Sequence, residues 1–249
     1  MAAVSARYTR ILVDQFDFSG DSNRVIMAGT VATLDTTGFQ AVTSTSIPGN
    51  LQGASIQHGG YYAGADAGEL EYELKQRLGS ATPAYIAALF GTNQAACPAY
   101  VCDTSWGQQL TVDAPIDGLI TLSGNWPAGG GMKRGLRIQA GASTLSGTGG
   151  GTAYDFGAAG AAGGTGYLFV QTITGTATEP TLATIDIESS ATEGGTYASE
   201  GTFTFSAVGV QTLTMSGVVN QWLRINTTSL GGATSFAVVC IACVAGVTQ

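Results

Sequence analysis

The chain has 249 residues, of which 37 are glycine and 10% are charged. The length allows one large β-domain or two ordinary ones, and this glycine content with so little charge and only six prolines excludes a disordered chain. Nine basic residues stand against seventeen acidic ones, with no basic cluster beyond Lys133-Arg134 and Arg137. That excludes sequence-specific nucleic-acid binding, which needs grouped cations against phosphate.

The opening MAAVSARYTRILVDQ has no apolar core of the kind a signal peptide requires, and the longest apolar run, FAVVCIACVAGV, is too short to cross a bilayer as a helix. The expectation is a chain made and kept in a cytoplasm, with no membrane partner. Residues 7–19, RYTRILVDQFDFS, alternate as a strand up to the Ser19-Gly20-Asp21 turn, and NRVIMAGTVATL at 23–34 gives a second strand. Then comes DTTGFQAVTSTSIPGN at 35–50, a Thr-rich excursion with one charge, too long for a hairpin turn. LQGASIQHGGYY follows, with Leu51, Ala54, Ile56 and His58 near period two.

AGELEYELKQRLG at 67–79 is the one helix expected: Glu69, Glu71 and Glu73 lie early, Lys75 and Arg77 late, and Gly79 stops it. AYIAALF at 84–90 either continues the helix after Pro83 or starts the next strand. From 97 to 140 the pattern returns to strands punctuated by Gly and Pro, and residues 141–166 are a dense run of Gly, Ala, Ser and Thr that marks a domain edge. Beyond it, YLFVQTITGT, TLATIDIESS, GTFTFSAVG, VQTLTMSGV, QWLRINTTS and SFAVVCIACV form six strands at the spacing of a β-sandwich. The chain is therefore mainly β: residues 1–145 form a β-domain with one flanking helix, 146–166 a Gly/Ala-rich linker, and 167–249 a C-terminal β-sandwich.

Chemistry is scarce. His58 is the only histidine, which removes most general-base and metal arrangements, and its place beside Gly59-Gly60 reads as a surface or pocket-edge residue. Asp186 and Glu188 share one face of a strand, the solvated face of the sandwich, with no aromatic neighbour in sequence to stack a sugar. Cys97, Cys102, Cys240 and Cys243 read as reduced core thiols; Cys240 and Cys243, three apart in a strand, face opposite sides. GGGTAYDFG at 149–157 is a single copy of a Gly-Asp turn, too little for a calcium site. With no phosphate loop, nucleophile elbow or dinucleotide fingerprint, the expectation is no enzyme, no cofactor, no metal and no catalytic residue.

Taken together, residues 16–62 resemble the N-terminal signature of major tail tube proteins of long-tailed bacteriophages. The features that carry the resemblance are Asp17-Phe18-Ser19, Leu34 to Phe39, and a Thr-rich loop closing on Ile47-Pro48-Gly49; Gln40 departs from the pattern. The helix, the strands to 140 and the Lys133-Arg134-Gly135 region are similar too, and the sandwich with Trp222-Leu223-Arg224 looks like a C-terminal module some members carry. The resemblance implies a β-barrel or sandwich tail-tube domain and a structural virion protein that stacks as hexameric rings into a tube delivering DNA to the host. It makes the long loop the inter-ring contact, with Asp35, Thr36, Thr37, Phe39, Thr43, Thr45, Ile47 and Pro48 as its residues. Implied partners are further copies of the chain, the tape measure, terminator and distal tail proteins, and double-stranded DNA passing through the lumen without specific binding. The location implied is the virion tail, assembled in the host bacterial cytoplasm. Lys133, Arg134 and Arg137 are expected at subunit seams opposite neighbouring carboxylates, and acidic side chains are expected on the inward face, where they repel phosphate. A capsid decoration or glycan-binding virion protein, using Trp106, Trp126 or Trp222 as a platform, is the alternative.

Overall fold

The structure, a computed structural model, describes residues 9–35, 46–62, 64, 66, 68–91, 97–139, 143–157, 159, 163–175 and 182–244, without the side chains of 30–35, 46–52 and 143. The protein is mainly β, with large antiparallel sheets and one helix among the described residues. In chain order the first elements are β1 (Arg10–Val13), β2 (Phe16–Asp17), β3 (Ser22–Asp35), β4 (Ser46–Tyr61), α1 (Leu70–Arg77), β5 (Ala84–Leu89), β6 (Pro98–Ser105), β7 (Gln109–Asp113), β8 (Thr121–Ala128) and β9 (Lys133–Arg137). They are followed by β10 (Ser143–Leu145), β11 (Gly149–Gly150), β12 (Tyr154–Asp155), β13 (Gly164–Gly175), β14 (Ala183–Ser190), β15 (Ala198–Phe205), β16 (Gly209–Met215), β17 (Trp222–Leu230) and β18 (Ala233–Val244).

Two compact units divide the chain. The first comprises residues 1–17, 87–100 and 133–249, the second 18–86 and 101–132, so β5 and β6 contribute to both. In the first unit one sheet runs β16-β13-β18-β9-β6-β5-β1-β2, with β10 on β18, and a second sheet runs β11-β17-β14-β15, with β12 on β17. The six strands expected beyond residue 166 all form, as β13 to β18. Alternation explains the core: Leu168 and Val170, Ile185 and Ile187, Phe203 and Phe205, Leu223 and Ile225, and Phe236, Val238 and Cys240 all turn to one cluster. Leu136 and Ile138, upstream of the Gly-rich stretch, belong to that cluster, and β10, β11, β12 and the start of β13 lie within the stretch. The four cysteines are buried thiols, with Cys240 in the cluster and Cys243 on the other side of β18.

Local chemistry moved several boundaries. The strand expected over 7–19 is broken after Val13, because Asp14 adopts φ 50° and turns the chain so that Val13 pairs with Phe16. The helix is shorter than 67–79: Glu69 and Leu78 are extended and Gly79 takes φ 72°. Within it Arg77 Nη1 donates to Glu73 Oε2 at 2.7 Å, the i,i+4 pair the charge order anticipates. Residues 84–89 are strand β5, five of six positions buried, so burial rather than strand propensity carries a run with three alanines, and Pro83 disfavours helix just before it.

Ending the chain at Ser146 tests where a folding boundary lies. It removes β18, on which β9 pairs at Leu136 and Arg137, and uncovers the apolar side chains of Leu136 and Ile138. The expected product aggregates and shows no cooperative melt; a soluble fragment with a sharp transition places the boundary at 145.

Candidate functional site

The second unit is built on an antiparallel sheet in the order β3-β4-β8-β7. Residues opposite one another share a face, so the register sorts its side chains directly. One face holds Ala54, Ile56, His58 and Gly60 of β4 against Ala128, Trp126, Gly124 and Leu122 of β8, all buried. The other face reads across the sheet in rows: Arg24, Gly59, Ser123 and Thr111; then Ile26, Gln57, Asn125 and Gln109. These rows form a shallow depression of about 220 Å³. Among the described side chains of this face on the four strands, Arg24 and Asp113 are the charged ones, and hydroxyls, amides and glycine make up most of the rest.

Both ends of the sheet are open among the described residues. Among the described residues β3 pairs with β4 alone and β7 with β8 alone. Residues 25–34 of β3, VIMAGTVATL, carry neither a charge nor a proline, the two devices that usually protect an edge. Pairing of β4 with β8 begins at Ala54 opposite Ala128, so residues 46–53 of β4 pair only with β3. The hairpin thus runs on beyond the sheet as a two-stranded ribbon of about 26 Å at roughly 3.3 Å per residue.

Three of the expected stacking residues fall on this ribbon. Asp35 ends β3 opposite Ser46, and Ile47 and Pro48 belong to β4, opposite Leu34 and Thr33. The polar stretch read as a loop over 35–50 is therefore strand at both ends, because hairpin pairing claims Asp35 and residues 46–50. Thr36, Thr37, Phe39, Thr43 and Thr45 lie outside the described residues. In the first unit, Lys133 Nζ donates to Tyr167 Oη at 2.8 Å and sits 5.5 Å from that ring's centroid, and Arg134 is exposed. Arg137, expected at a seam, is 1% exposed, and burial lowers its affinity for its proton. The structure thus places Asp35, Ile47 and Pro48 on one ribbon, while Arg134 is exposed and Arg137 is buried.

His58 is not a surface residue: it is 1% exposed, although it floors the depression. Trp126 Nε1 donates to His58 Nδ1 at 3.1 Å, the rings stack at 16°, and the imidazole proton therefore sits on Nε2. Gly124 makes room for the ring, since a Cβ there would lie 3.1 Å from His58 Cε1. Sequence reading missed this pair because the residue opposite His58 is a glycine, which announces nothing. Glu188, expected on a solvated face, is buried, accepting from Arg224 Nε at 2.7 Å and Asn226 Nδ2 at 2.8 Å. Asp155 in the Gly-Asp turn accepts from Gly157 N and Gln221 Nε2. Among the described residues no group of three His, Cys, Asp or Glu is arranged to hold a metal. No helix among them is long and apolar enough to cross a membrane.

No family model matches the chain, and no curated protein matches it by sequence. Similarities exist to solved structures. A chain from the virion of a native gene transfer agent particle is 13% identical, with TM-score 0.42 over 53% of this chain and 98% of that one. A chain of the sheath–tube complex of an extracellular contractile injection system is 13% identical, with TM-score 0.41 over 55% and 92%. The SPP1 Dit protein, from the hub adsorption apparatus of phages that infect Gram-positive bacteria, is 9% identical, with TM-score 0.37 over 94% and 98%. Likenesses at these scores transfer neither activity nor partners.

Burial pulls the His58 pKa from the ordinary 6.5 down to about 4. Between those values the unfolded chain takes up a proton that the folded chain refuses, so stability is full above pH 6.5 and falls as pH drops toward 4. From pH 7 to pH 5 the loss amounts to about 2 kcal/mol. A His58→Leu variant is expected to lose that component in urea unfolding at the two pH values; an unchanged pH dependence refutes the neutral, buried imidazole.

Proposed function

We propose that the chain is a structural subunit of a phage-type tail, joining edge to edge into rings that stack as a tube and conduct DNA. The single observation that carries this reading is the β3-β4-β8-β7 sheet, open at both edges and extended by a two-stranded ribbon. An unpaired edge offers a row of N–H and C=O groups, and joining β3 of one copy to β7 of the next satisfies both rows at once. Such a contact uses two different surfaces, so repetition closes into a ring when the rotation permits. The sequence resemblance supplies sixfold closure and the tail setting. The edges also complement each other in charge, with Arg24 on β3 and Asp113 on β7.

The ribbon and residues 36–45 form the arm toward the next ring, including Thr36, Thr37, Phe39, Thr43 and Thr45. Two strands alone are marginal in water. A partner surface removes that deficit, and hydroxyl-rich side chains can be buried there without desolvating ions. With the polar face inward, each subunit presents mostly amides and hydroxyls to DNA, with Arg24 and Asp113 as its charges. This lumen is hydrated and close to neutral, and it is the arrangement proposed in place of an acidic lining. Too few cations face inward to hold phosphate, so the genome slides. The role is structural and not catalytic.

Purified protein is expected to form rings or tubes under negative-stain microscopy, whereas deletion of 37–46 leaves a soluble, folded subunit that does not stack. Tubes of normal length from the deletion refute the arm. Gln57→Lys with Ser123→Lys places two cations on the inward face. Tubes carrying both are expected to retain DNA in a salt-dependent way that unsubstituted tubes lack; strong retention by unsubstituted tubes overturns the lumen assignment.

A further inference from the structure

The turn between β7 and β8 exposes a concentration of apolar surface. Ile116 is 101% exposed, Leu119 69% and Val112 46%. Gly118 N donates to Pro115 O at 3.4 Å, closing a tight turn with Ile116 and Asp117 at its tip. A turn is normally filled by residues that gain from water, so isoleucine and leucine at this tip answer to something outside the subunit. The chain has no basic residue between 78 and 132, so Asp117, itself exposed, gives the tip an acid with no sequence-local cation.

A second apolar patch lies at the far end of the same strands. Leu78 is 44% exposed and Trp106 40%, and the bridge between Leu78 and Gly107 brings their two chain segments together. Trp106 N bonds to Pro127 O, and the indole lies over Gly129, where a Cβ would come within 2.5 Å of it. Glycine at 129 is thus required for the ring to lie there. Exposed Lys75 adjoins this patch, its carbonyl accepting from Leu78 N. From Thr121 to Ala128 the strand covers about 24 Å at roughly 3.4 Å per residue, which separates the two patches along one axis.

We propose that these patches are the two halves of one contact between copies of this chain: the 115–120 turn of one copy seats on Leu78 and Trp106 of the next, with Asp117 facing Lys75. The occupant is a second copy because one unit carries both halves, apolar to apolar and carboxylate to ammonium, at opposite ends of one sheet. Repetition is head to tail along the strands and does not close on itself. The inference rests on the self-assembly reading for its partner, and it adds a stacking contact that uses none of residues 35–50.

The test uses the full chain. Ile116→Asp with Leu119→Asp disables the turn, and Leu78→Asp disables the patch; all three residues are exposed, and circular dichroism verifies the fold of each variant. Each variant alone is expected to lose head-to-tail association, about a hundredfold in sedimentation velocity. Mixed in equal amounts they are expected to associate one to one across this contact, because one retains the intact patch and the other the intact turn. Lys75→Glu weakens the contact by about two- to fivefold at low salt, and Asp117→Lys in the facing copy restores it. If unsubstituted protein forms tubes and the turn variant forms tubes of the same length, the contact is refuted and the tube reading stands. If unsubstituted protein forms no tubes yet the mixed variants pair, the tube reading fails and the contact stands. Variants that stay separate on mixing overturn the contact.

Discussion

The requirement that backbone hydrogen-bonding groups find partners governs this molecule more than any side-chain chemistry. In β3 and β7 one whole side of each strand lacks a partner among the described residues, and between residues 46 and 53 the hairpin has no third strand. Proteins that stay apart blunt such edges with lysine, proline or a bulge that twists the strand away. Here charge and proline are absent from residues 25–34, and the register shifts of that stretch fall between Thr30 and Thr33, leaving Arg24 to Thr30 in unbroken register. Their absence makes sense for a strand whose pairing is completed by another molecule.

The two units answer different demands. The first buries a continuous apolar cluster between facing sheets, and each large side chain in it contributes about 1.5–3 kcal/mol of transfer free energy. The second spends its sheet on surfaces: one face buried around Trp126 and His58, one face polar, two edges open. Its tight spots are glycines. A Cβ on Gly60 would lie 2.0 Å from the carbonyl oxygen of Asp21, and Tyr61 N bonds that same oxygen, so only glycine lets the two chain segments meet there.

Period-two alternation made the strands legible. Beyond residue 166 each strand has one face in the apolar cluster, so β13 to β18 could be located from the sequence with little error. Helix α1 was legible through its charge order, although its ends were not, since Glu69 and Leu78 are ordinary helix formers that the chain holds extended. Register and pairing were not legible. Nothing local in 35–50 says that Ile47 lies opposite Leu34, and nothing in the residues around Gly124 says that it faces His58. Glu188 misled for a related reason: its partners Arg224 and Asn226 lie 36 and 38 residues away, so a carboxylate that looked solvated in sequence is paired in space. The apolar turn tip was visible as letters, Ile116 and Leu119, but their exposure was a property of the fold.

The arrangement of the first unit also sets a timetable. Its central strand β18 pairs with β13, β9 and β10, yet it follows every other described strand in sequence. A growing polypeptide leaves the ribosome at about 5–20 residues per second. Residues 18–86 and 101–132 therefore emerge some seconds before β18 does. During that interval the strands of the second unit are already exposed while the first unit cannot close its sheet, and such non-local pairing is slow even once every strand is present. Nascent chains on one messenger would then display their sticky edges to one another while their sandwiches are unfinished, which places the danger of premature joining in translation itself.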